Sequence, residues 1–115
     1  MIAEPVVLID RDGVVYVFDS LDEAEVNLDL DDVLDNEYQA FDSRGLALVI
    51  EQAPGMPFSA AIRPDELVPT HAEDLRAALV SALERTGADL GDLASQPLPR
   101  VLEVALLHRR RHSLP

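Results

Sequence analysis

Cysteine is missing from this chain, which excludes disulfides, a thiolate nucleophile and any cysteine-ligated metal. Lysine is missing too: all nine basic residues are arginine. With abundant Ala, Leu, Val and Asp, that bias fits a GC-rich genome. Tryptophan is absent and aromatic residues make up only 4% of the chain. The five glycines are scattered, so no glycine-rich phosphate loop can be drawn. No run reaches the roughly 18 apolar residues of a membrane span. The opening residues Met1 to Pro5 lack a basic region, a long apolar region and a small-residue cleavage site, so no secretory signal is expected. Together with the missing cysteine, this leads us to expect a cytoplasmic protein.

What is present is acid and aliphatic side chains. The 115 residues suit a single domain spanning 1–115, and 48% apolar content suffices for one core. The formal net charge of −13 opposes binding to nucleic acid or to an anionic membrane surface. It is unevenly placed: residues 1–51 hold fourteen acids and two bases, residues 52–115 eight acids and seven bases. From Asp19 to Asp42 there are ten acids and no base, whereas the end of the chain carries Arg109, Arg110 and Arg111. Such asymmetry suggests an interaction surface. Residues 109–115 read as a flexible basic tail.

Two β-branched runs, Val6 to Ile9 and Val14 to Phe18, flank Asp10-Arg11-Asp12-Gly13 and predict a hairpin whose turn needs glycine. Both runs are apolar at every position, so both faces should be covered. Ser20 with Glu23 has capping-box spacing, and Leu21, Ala24 and Leu28 form an apolar stripe on a helix ending near Leu28 to Leu30. A strand over Glu37 to Phe41, a turn at Ser43-Arg44-Gly45 and a strand over Leu46 to Glu51 make a second hairpin. Pro54, Gly55 and Pro57 mark a loop, and Phe58 to Ile62 a fifth, edge strand. Thr70 with Glu73 repeats the capping spacing before a helix on Leu75, Leu79 and Leu83 that stops at Gly87. Leu98, Val101, Leu102 and Ala105 line one face of a last helix. The order β-β-α-β-β-(β)-α-α predicts an α+β fold, an antiparallel sheet of 4–5 strands with helices packed on it.

The stretch Val6 to Val15 resembles the start of haloacid-dehalogenase-type phosphatases: a buried strand, two aspartates flanking one residue, then glycine. That resemblance would make Asp10 the nucleophile and Asp12 the general acid and base, with Mg²⁺ as cofactor. It stops there. The family also needs a phosphate-binding lysine and a late acidic pair, and this chain has no lysine. We therefore favour a turn over a catalytic site. An EF-hand fails as well, because Asp29-x-Asp31 lacks the acid and glycine that should follow. His108 and His112 share a helix face, at most half of a metal site, and read as solvated; His71 reads as a first-turn residue. No Ser lies in a nucleophile-elbow setting. No catalytic, metal or cofactor site is assigned.

The segment Phe18 to Glu51, with Phe18, Ser20, Ala24-Glu25, Leu28, Glu37-Tyr38, Ala40, Asp42 and Gly45-Leu46, resembles a type of small, acidic bacterial protein common in actinobacteria. Many of these look like immunity proteins, which neutralise a toxin made by the same cell. The resemblance implies a non-enzymatic binding protein with a cognate toxin as partner. The charge adds that the partner should be basic, for instance a nuclease. The residues expected to meet it are Asp22, Glu25, Asp29, Asp31, Asp32, Asp35, Glu37 and Tyr38, with Tyr38 and Phe41 as aromatic anchors. The alternatives are an adaptor domain docking through its basic tail, or the small phosphatase on Asp10 and Asp12.

Overall fold

The computed structural model describes residues 2–28, 38–87 and 91–112. In chain order they form β1 (Val6–Asp10), β2 (Val15–Phe18), α1 (Leu21–Val26), β3 (Tyr38–Phe41), β4 (Ala47–Ala53), β5 (Met56–Pro64), α2 (Ala72–Arg85), a 3-10 turn (Leu93–Ser95) and α3 (Leu98–His112). The five strands make one antiparallel sheet in the order β2-β1-β3-β4-β5. The expected α+β class, element order and sheet size all hold.

Side chains alternate across the sheet and build two cores. Val7 and Ile9 of β1, Val15 and Val17 of β2 and Phe41 of β3 meet α2 and α3 through Leu75, Leu79, Leu83, Leu98, Val101 and Leu102. The residues between them, Val6, Leu8, Tyr16, Phe18, Tyr38 and Ala40, face the other way, with Leu48, Ile50 and Ile62, onto Ala24 and Leu21 of α1. This three-layer arrangement explains why the first two strands carry no polar alternation. Val6, Val7 and Leu75 are fully buried. Truncating a leucine at such a site costs about 2–5 kcal/mol.

Several boundaries differ from those expected. The first helix stops at Val26: Asn27 is its C-cap, with Nδ2 donating to Glu23 O at 2.8 Å, and the next N–H, that of Leu28, falls back to Glu25 O at 3.4 Å in place of the α-helical partner. Ser20 caps this helix as expected, accepting from Glu23 N at 3.1 Å. Thr70 does not cap α2. His71 is the N-cap residue, and the Thr70 hydroxyl donates instead to Glu66 Oε2 at 2.9 Å. Glu66 Oε1 accepts from Ala47 N at 2.7 Å and pins the loop before α2 to the sheet. That N–H, aided by Thr70 and the nearby His71 and opposed by desolvation, holds the Glu66 carboxyl below its ordinary value. Strand β5 runs past both ends expected for it, as Pro57 is tolerated on an edge strand. The supposed loop shrinks to Pro54-Gly55 between the paired residues Ala53 and Met56. Finally, α3 continues to His112, so the basic tail expected from Arg109 begins as helix.

Candidate functional site

The Asp10–Gly13 segment is a hairpin turn. Asp10 O accepts from Gly13 N at 3.0 Å, and Asp10 N donates to Val14 O at 3.0 Å. Gly13 has φ 83°, the left-handed region that disfavours a side chain. Asp10 Oδ1 accepts from Asp12 N and Val14 N, both at 2.9 Å, an Asx-type turn. The Tyr16 hydroxyl approaches Oδ2 at 3.4 Å. Asp12 is exposed. One oxygen of the would-be nucleophile is thus occupied by two backbone donors. Among the described residues no cluster of three or more His, Asp or Glu gathers in a metal-holding arrangement.

The second turn repeats the first atom for atom. Asp42 O accepts from Gly45 N at 3.1 Å, Asp42 N donates to Leu46 O at 3.0 Å, and Gly45 has φ 87°. Asp42 Oδ1 accepts from Arg44 N at 2.8 Å and Leu46 N at 3.0 Å. Its Oδ2 accepts from Ala3 N at 3.1 Å and from Arg44 Nε and Nη2 at 3.0 and 2.7 Å. The side chain is fully buried. Burial pushes its carboxyl up, but the Arg44 guanidinium and the N–H groups of Ala3, Leu46 and Arg44 outweigh it and hold the group below its ordinary value. The turn is expected from Ser43-Arg44-Gly45, but the Asp42 network is not. The signal was the shared spacing Asp-x-x-Gly-aliphatic in Asp10–Val14 and Asp42–Leu46.

Of the residues expected to face a partner, Asp22 is exposed in the first turn of α1. Glu25 lies on the same helix, but its Oε2 accepts from Ile62 N at 2.7 Å, on the outer edge of β5. It therefore fastens α1 to that edge. Tyr38 is half-buried and meets Tyr16 edge-on, with centroids 6.4 Å apart. Asp29, Asp31, Asp32, Asp35 and Glu37 lie outside the described residues. Phe41, the other expected anchor, packs on the opposite face against the helices and lies 5.7 Å from the His71 ring. It is a core residue.

A groove of about 300 Å³ that the sequence did not announce runs beside β2. Val15, Tyr16 and Val17 form one wall, and Leu79, Leu83 and Ala105 line the helical side. Arg85 stands at one end, donating from Nη2 to Gly13 O at 2.9 Å. His108 lines the groove and is half-buried. His71 instead sits between Glu66 at 3.6 Å and Asp74 at 3.7 Å, far along the chain from His108. Among the described residues no helix is long and apolar enough to cross a membrane. Compared with known proteins, the chain matches no family model, no curated protein and no solved structure.

Proposed function

We propose that this protein is a non-enzymatic binding module, an immunity-type inhibitor that neutralises a basic toxin inside the cell by covering it with an acidic surface. The observation that carries this reading is the run of ten acids without a base from Asp19 to Asp42. Asp22 presents that charge outward from α1. The acids that follow, Asp29, Asp31, Asp32, Asp35 and Glu37, extend it along the chain. Complementary potentials accelerate encounter and fix register, while a few buried anchors supply most of the affinity. Tyr38, half-buried at the start of β3, is the anchor of this surface. The turn role of Asp10 supports the reading, because it gives the Asp-x-Asp-Gly motif a structural use.

The test is capture from a lysate of the source cells by the tagged chain, at low and at moderate salt, with proteins identified by mass spectrometry. The expected result is one stoichiometric basic partner that leaves as salt rises and is not retained by the variant Asp31→Arg/Asp32→Arg/Asp35→Arg. Equal retention by that variant would remove the acidic surface from the account. A partner lost on deleting Arg109 to Pro115 instead would favour the adaptor reading.

A further inference from the structure

The two edges of the sheet are treated differently. On β5 the outward N–H of Ile62 is occupied by the Glu25 carboxylate. On β2 the hydrogen-bonding pattern leaves the other set of groups outward. Asp10 N binds Val14 O, and the register pairs Leu8 with Tyr16 and Val6 with Phe18. In an antiparallel ladder alternate residues point their backbone groups to opposite sides, so those of Val15 and Val17 point away from β1. They have no partner among the described residues. The edge segment Val14–Phe18 carries no charge and no proline, the devices that usually blunt an edge. Val14 is 45% exposed, and the apolar groove runs along the same strand.

We propose that β2 pairs antiparallel with β2 of a second copy of this chain about a twofold axis at Tyr16, giving a ten-stranded sheet. The register follows from the pattern. With Tyr16 opposite Tyr16, Val15 of each copy faces Val17 of the other, so both outward groups of both residues form ladder bonds. No other register pairs Val15 and Val17 with each other. The same register sets Asp19 of one copy opposite Gly13 of the other. Gly13 O is held by Arg85, an exposed guanidinium with no carboxylate partner among the described residues, in a chain of 22 acids. The axis supplies that carboxylate twice. It also brings the two apolar grooves to face each other, since side chains of Val15 and Val17 stay on the helix side in both copies. Because the twofold uses β2 of both copies, the pairing closes as a dimer, and on β5 the outward Ile62 N–H is already taken by Glu25. Asp19, the first acid of the run, belongs to this interface; Asp22, on α1, is not among the residues the register pairs.

The test uses the full chain. Sedimentation equilibrium should give twice the 12.6 kDa chain mass. Amide exchange followed by NMR should slow at Val15 and Val17 as concentration rises, while Tyr16, paired to β1, is protected throughout. Arg85→Asp should weaken the dimer roughly tenfold. Adding Asp19→Arg to it should restore the dimer, which a merely destabilised fold would not do. A monomer up to about 1 mM, or a dimer whose Val15 and Val17 amides exchange independently of concentration, would overturn the proposal.

Discussion

The turns at Asp10 and Asp42 have the same backbone bonds, the same aspartate acceptor and the same left-handed glycine, yet they carry different weight. The difference lies in what packs around them. The first is a rim turn: among the described residues an added Cβ at its glycine would meet only Arg85, with Nη1 3.5 Å away. The second is enclosed. His71 N donates to Gly45 O at 3.0 Å, and an added Cβ at Gly45 would overlap the backbone of Ala72 and sit 2.8 Å from His71 C. The start of α2 is thus laid directly on the second turn, and Ala3 is tied to it through Asp42. One local motif serves as a simple reversal in one place and as the joint between sheet, helix and N-terminal segment in the other. An identical sequence pattern fixes the turn geometry; burial decides how much depends on it.

Gly45→Ala should break this comparison most severely. Left-handed strain adds to a backbone overlap, for a loss of about 3–5 kcal/mol in urea unfolding. Asp42→Asn should follow at about 3 kcal/mol, since it removes a buried charge facing the Arg44 guanidinium and replaces an acceptor oxygen with a donor. The Asp42 carboxyl is held below its ordinary value when folded. Its contribution is therefore complete above the unfolded value of about 3.9 and is lost as pH falls through the lower folded value. Urea midpoints taken between about pH 5 and about pH 2 should fall for the wild type, and less steeply for Asp42→Asn. Gly13→Ala should cost only about 1 kcal/mol, the left-handed strain without an overlap. Asp10→Asn should cost less still, under about 1 kcal/mol, because the amide oxygen can keep accepting from Asp12 N and Val14 N at a partly exposed site. If the two aspartate variants cost the same, burial is not what separates the turns.

Much of this fold is legible in the residues. Val6 to Ile9 and Val14 to Phe18 announce two strands covered on both faces, and the leucines of α2 and α3 announce the face they bury. What the sequence hides is non-local. Thr70 has cap spacing, but Glu66 competes for its hydroxyl, and nothing in the local pattern says so. Glu25 reads as a surface acid because its partner, Ile62 N, lies 37 residues away. Phe41 and Tyr38 look like equivalent anchors until strand parity sends them to opposite faces. Their parity follows from spacing, but which face meets the helices depends on the packing of the whole sheet. The groove beside β2 needs three elements brought together, so no single segment encodes it.

The central claim is that Asp10-Arg11-Asp12-Gly13 shapes a turn, on which the proposed binding function rests. Its most direct test is Mg²⁺-dependent hydrolysis of a generic phosphate ester by the purified chain, beside Asp10→Asn. The account predicts no turnover above buffer for either protein. Turnover by the wild type that disappears in a folded Asp10→Asn variant would contradict it and return Asp10 to the role of nucleophile.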